Sequence, residues 1–277
     1  MRRNFAQVLE EGRIDLRNEY SKFYRIFYGN GSKNDIPLKE IVSECFLSLH
    51  FRGFCLSLDE FNIMHGFLFE KQPKNFNEDY LINFMEYIYN MIIYIRPQDV
   101  FFDRSKRFCL EQIRKVLDSI GYVTANEKEF TIFVPRDNCA IAVAESELVP
   151  DNLSYKVLEY NHHSLKGNIE AKRDILVKLA SILEAYDKKL NEINSTYKSD
   201  LFQLINSCNI RHNNIDKSSK QYKKYIAEMS EAELECTYDE IYQMCLLAFM
   251  QLEHADRREW LKELKGNIDG SQSKIAN

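Results

Sequence analysis

Apolar residues recur along most of this chain at spacings of three and four, the period of one face of an α-helix. Leu81, Phe84, Ile88, Met91 and Ile95 form such a stripe, with Asn77 placed to cap its start and Pro97 to end it. Upstream, Ser57-Leu58-Asp59-Glu60 has the form of a capping box opening a helix that carries Phe61, Met64, Phe67 and Leu68 on one side. Asp35-Ile36-Pro37 marks a further helix start, with proline near the first turn. Residues 104–120 continue the pattern through Ile113, Val116, Leu117 and Ile120, and Gly121 stops it.

The pattern then changes. Phe130-Thr131-Ile132-Phe133-Val134 and Cys139-Ala140-Ile141-Ala142-Val143 are short apolar runs separated by Pro135-Arg136-Asp137-Asn138, which reads as a β-hairpin with turn chemistry at its tip. Residues 145–150 read as a connector. From 151 onward the helical period returns. Leu165, Ile169, Ile175 or Leu176, Leu179, Ile182 or Leu183, Tyr186, Leu190 and Ile193 trace one long amphipathic helix, and residues 197–208 a shorter second one. A polar loop follows over 216–221. Ser230-Glu231-Ala232-Glu233 is another capping box, and behind it Leu234, Tyr238, Ile241, Cys245, Ala248 and Leu252 make a seam suited to a bundle or a dimer. The tail after Lys265 is polar and is expected to fray.

The expected fold class is therefore mainly α: a helical N-terminal domain over 1–100, a helix plus β-hairpin segment over 101–150, and a C-terminal helical bundle over 151–277. Composition agrees with a chain of long helices, since 277 residues hold only 9 Gly and 5 Pro against 18 Phe and 16 Tyr for the core. A net charge of −5 gives no bulk attraction to nucleic acid, so any such contact needs a local basic patch. The seven cysteines are scattered without a Cys-x-x-Cys pair and read as buried thiols of a reducing compartment. Met1-Arg2-Arg3-Asn4 does not lead into a signal-peptide apolar region, and the longest apolar stretch, 84–95, is interrupted by Glu86 and Asn90. A cytoplasmic protein without a membrane segment is expected.

Chemistry concentrates in Asn206-Ser207-Cys208-Asn209-Ile210-Arg211-His212-Asn213-Asn214. An arginine offers a phosphate clamp, a neighbouring histidine carries a proton near neutral pH, and asparagines hydrogen-bond to both. The same residues also suit a solvated helix end, where cations favour the negative pole and Asn tolerates the chain's exit. Adjacent residues on a regular helix diverge by roughly 100°, so Arg211 and His212 address one substrate only where the helix ends or where a second subunit supplies one of them. Lys166, Lys172 and Arg173 form either a solvated basic face or the wall of an RNA groove. His162 and His163 precede the long helix with no further ligand at metal spacing, and no metal or cofactor site is expected. Phosphate-loop, nucleophile-elbow and zinc-protease motifs are absent from the sequence.

Three segments carry a resemblance. They are Glu159-Tyr160-Asn161-His162-His163-Ser164-Leu165-Lys166-Gly167-Asn168, Asn209-Ile210-Arg211-His212-Asn213-Asn214, and Met229-Ser230-Glu231-Ala232-Glu233-Leu234 leading into Tyr238-Asp239-Glu240. With them the C-terminal region resembles the C-terminal domain of AbiJ-type abortive-infection proteins, of the HEPN superfamily. The N-terminal helices and hairpin are similar in layout to the AbiJ N-terminal region. The resemblance implies a HEPN-like bundle that dimerises and cuts RNA without metal or cofactor, in the service of phage defence. It implies Arg211 and His212 as the catalytic residues, with Asn209, Asn213, Asn214, Lys166 and Lys172 toward the substrate. RNA, tRNA among the candidates, a second copy of the chain and a partner protein of a defence system are the implied partners. The family motif carries a histidine four to six positions after the arginine, whereas here the next histidine after His212 is His254. That departure leaves a second expectation beside the first, a non-catalytic HEPN-like interaction or sensor module.

Overall fold

The computed structural model describes residues 14–29, 37–95, 100–127 and 130–272. The chain divides into two compact units, residues 1–135 and residues 136–277. The division falls inside the 101–150 segment, whose helix and hairpin bury residues in the first core while Ala140, Val143 and Ala144 join the second. Mainly helical architecture with a small hairpin is the observed fold class.

The first unit comprises α1 (Leu16–Tyr28), α2 (Leu38–Cys45), α3 (Leu58–His65), α4 (Glu78–Ile93), α5 (Val100–Ile120), β1 (Tyr122–Glu127) and β2 (Phe130–Pro135), with two short 3₁₀ turns between α2 and α3. Local signals set the helix ends. Asn77 accepts from the Tyr80 amide at 2.9 Å, and Ser57 accepts from Glu60 at 3.1 Å while Glu60 reaches back to the Leu56 amide at 2.7 Å. The α4 stripe from Leu81 to Ile95 is buried as its spacing predicts. The α3 stripe is not: Gly66 takes a left-handed conformation and ends the helix, Phe61 is buried, and Met64 and Leu68 are left exposed. α2 begins immediately after Pro37, while Asp35, Ile36, Pro97 and the N-terminal tetrapeptide lie outside the described residues.

The hairpin differs from expectation. β2 pairs antiparallel with β1, upstream of it, with Val123 opposite Val134 and Ala125 opposite Ile132. Gly121, at positive φ, reverses the chain from α5 into β1. The two polar interruptions of the α4 stripe dock this hairpin. Asn90 donates to the Thr131 carbonyl at 2.7 Å and accepts from its amide at 2.9 Å, and Glu86 accepts from the Phe133 amide at 2.8 Å. The outer edge of β2 is thus paired by side chains of a helix.

Residues 139–143 are helical instead. They lie within α6 (Asn138–Ala144), because the Asp137 carboxylate caps the amides of Cys139 and Ala140 and three alanines favour the helix. The second unit continues with α7 (Asp151–Glu159), a 3₁₀ turn (His163–Leu165), α8 (Ile169–Ala185), α9 (Asp187–Ser207), α10 (Lys224–Ala227) and α11 (Glu231–Gln272). The single long helix expected from 165 to 193 is broken at Tyr186, and α9 is interrupted again at Asn194, whose side chain caps Tyr197. The seam from Leu234 to Leu252 is buried within this unit. Helix α11 runs on through Gln272, past the point where fraying was expected. Cys139 and Cys236 are exposed, against the expectation of buried thiols. No helix among the described residues is long and apolar enough to cross a membrane.

Candidate functional site

Helix α9 ends where the candidate chemistry begins. Cys208 donates back to Leu204 at 2.8 Å, and Asn209 then takes φ +58°, a left-handed conformation that asparagine tolerates better than most residues. The chain folds into a loop closed by a reciprocal amide clamp. The Asn209 backbone N–H donates to Asn214 Oδ1 at 2.8 Å, and the Asn214 N–H donates to Asn209 Oδ1 at 3.1 Å. Asn214 also donates from Nδ2 to the Gln221 carbonyl at 2.7 Å and accepts from the Lys223 amide at 2.8 Å. Ile210 is fully buried between the clamped ends. Arg173 of α8 donates to the Asn209 carbonyl at 2.5 Å, and Tyr238 of α11 also reaches it.

Arg211 and His212 sit on this pinned loop, past the helix end, so the divergence of a regular helix does not separate them. Arg211 is exposed and forms an ion pair with Glu184 near the end of α8. His212 is half-buried. Asn213 is exposed, and its side-chain Oδ1 accepts from the Asp216 amide at 3.1 Å. Asn209 and Asn214, expected toward a substrate, are instead buried and committed to the clamp.

Lys172 belongs to a different place. It is buried, its Nζ 2.7 Å from both Glu235 Oε1 and Asp239 Oδ1 of α11, and it lies over the Tyr160 ring. Burial alone would pull its pKa down, but the hydrogen bonds that the ammonium donates to the two carboxylates outweigh it and the net shift is upward. The Lys172 ammonium and the Gly167 amide hold Glu235 below the ordinary carboxylate range. Tyr160 donates to Asp239 at 3.0 Å and stacks on Tyr242 with ring centroids 4.0 Å apart. Burial, and then the Asp239 charge, keep its hydroxyl protonated far up the pH scale.

These side chains line a cleft of about 320 Å³ together with His162 and Lys166. Lys166 also borders a second cleft of about 520 Å³, formed with Asn168, Glu170, Asn209, Ile215 and Glu231. The structure thus joins Arg211, His212, Asn209, Asn213 and Asn214 in one loop, and sets Lys172 apart in an ion network. The tyrosine and the two carboxylates around Lys172 escaped sequence reasoning. The available signal was the i,i+4 spacing of Glu235 and Asp239 on one helix face. Comparison with models of known protein families, with curated proteins and with solved structures finds no match.

Proposed function

We propose that this protein is a metal-independent RNA endonuclease of the HEPN kind, acting as a homodimer in the cytoplasm as an effector of abortive infection. The observation that carries the reading is the clamped loop: a buried asparagine pair holds an accessible arginine and a neighbouring histidine on a fixed backbone. Preorganised cationic donors are most effective where charge builds in a transition state. In the proposed reaction the 2′-hydroxyl of RNA loses its proton to His212 and its oxygen bonds to the adjacent phosphorus. The bond from phosphorus to the 5′-oxygen breaks, and that oxygen takes a proton from His212 of the partner subunit. The products carry a 2′,3′-cyclic phosphate and a 5′-hydroxyl. Arg211 exchanges Glu184 for a phosphate oxygen and stabilises the charge that develops there.

End-labelled tRNA incubated with the protein in EDTA tests this. Cyclic-phosphate ends that disappear in both Arg211→Ala and His212→Ala are expected. The Arg211–Glu184 pair favours a second reading, a non-catalytic interaction module in which Arg211 already has its partner. Intact RNA with folded wild-type dimer would support that reading and sink the first.

A further inference from the structure

Helix α11 carries two seams. The first, from Leu234 to Leu252, is buried in its own unit. The second, on another face, runs through Leu247, Met250, His254, Arg257, Leu261, Leu264 and Ile268. Its spacing alternates three and four without interruption, which is the heptad rule for the a and d positions of a left-handed coiled coil. Leu247 is 46% exposed although it sits where α11 packs against the bundle, and Trp260 beside the seam is 60% exposed. Every described side chain from Asp256 to Ile268 is exposed. A helical stretch of this length is marginal in water when nothing packs against it.

We infer that this seam pairs with the same seam of a second copy of the chain, as a parallel coiled coil. Charge selects the occupant and the direction. Glu253 and Trp260 fall at g positions, and Arg258 and Lys265 at e positions. In a parallel homodimer each g residue faces the partner's e residue five positions on. Glu253 then meets a guanidinium, and the Trp260 ring meets an ammonium. An antiparallel pair would set Arg258 and Lys265 against each other. His254 at a and Arg257 at d form two successive polar layers between apolar ones, a device that fixes register at some expense of stability. Arg257 contacts Glu253, 2.9 Å away on the same helix, so that in the pair this carboxylate lies between two guanidinium groups.

The inference names the contact of the homodimer in the proposed function, but it is read by mass and not by cleavage. Sedimentation equilibrium of the full chain at micromolar concentration is expected to give a dimer, and Leu261→Glu with Leu264→Glu a monomer. Neither residue belongs to a buried core, so the double variant should keep the cooperative unfolding of its own unit and lose helical circular dichroism only from the unpaired end of α11. In a Cys139→Ser, Cys236→Ser background, Leu264→Cys is expected to oxidise to a disulfide-linked dimer, which parallel in-register pairing allows. A monomeric wild type, or a double variant that stays dimeric, overturns the pairing; an intact dimer that does not cross-link overturns its direction. A monomer that still cleaves RNA would defeat this inference and the two-subunit proton transfer while leaving ribonuclease activity itself, whereas a dimer that leaves RNA intact would keep the pairing and defeat the ribonuclease.

Discussion

Lys172 and Arg211 are both cations that face carboxylates across the packing of α8, and their surroundings give them opposite roles. The Lys172 side chain is 7% exposed and serves two acids and a tyrosine ring. The Arg211 side chain is 43% exposed and faces one half-exposed acid. An ammonium taken out of water is held only because Glu235 and Asp239 replace its hydration, so Lys172 is bound into the architecture. A guanidinium left in water gains little from Glu184 and gives that partner up easily. Sequence shows two basic residues; burial decides which of them stays open to solvent.

The largest break in this comparison comes at Lys172. Lys172→Met leaves two carboxylates without their cation, and an expected loss of about 3 kcal/mol follows the lower end for broken buried pairs, because Asp239 keeps contact with water. Urea denaturation followed by far-ultraviolet circular dichroism measures it; Trp260, on the exposed end of α11, is a poor reporter of the core. A loss below about 1 kcal/mol would place Lys172 in the same class as a surface pair. The pH dependence carries the same signature. A pKa raised on folding contributes stability fully below the unfolded value and loses it as pH climbs past, which holds for Lys172 and Tyr160. Burial pushes the Cys245 thiol up to about 12, which extends the alkaline loss to lower pH. The depressed Glu235 acts on the other side, its contribution lost as pH falls through the carboxylate range. Stability of the second unit should therefore decline above pH about 9, and Lys172→Met should flatten the part of that decline above pH about 10.

A smaller effect sharpens the contrast inside the loop. Asn214→Ala strips partners from the Asn209 amide and the Gln221 carbonyl, both held in the clamp. The expected loss is about 2 kcal/mol, against a few tenths for Asn213→Ala, whose side chain caps an exposed turn. Urea midpoints for the two variants check the ratio. Equal losses would mean that the clamp does not hold the loop.

What sequence makes legible here is local. Ser57, Asn77 and Ser230 announce their helices because a cap acts within three residues. The 139–143 run is ambiguous in sequence because a short apolar stretch fits strand and helix alike, and Asp137 serves a turn as well as a cap. The true strand partner, Tyr122–Glu127, is half-polar and has little apolar signal of its own. Glu86 and Asn90 look like flaws in an apolar stripe until β2 lies against them. Arg211 and His212 stand out by residue type. The division of labour among their asparagine neighbours does not, since it depends on the left-handed turn at Asn209 and on Gln221 and Lys223 further along the chain. Lys172 was the least legible, because its partners on α11 meet it only through tertiary packing.

The smallest expected change in stability comes at Arg211 itself. Arg211→Ala should cost less than about 1 kcal/mol, the range for a solvent-exposed pair, and under the proposed function it also removes a phosphate contact. RNA affinity should fall, and the slope of log affinity against log salt should become shallower by about one, as for the loss of a single phosphate contact. Glu184→Gln should do the opposite. It leaves Arg211 in place, removes the acid that competes with phosphate, and so raises RNA affinity with an equally small stability change. Filter binding across a salt series, run on both variants beside wild type, reads all of this. If Glu184→Gln weakens binding, the ion pair is holding Arg211 in its working position, and the separation of a structural Lys172 from an exchangeable Arg211 fails at its second half.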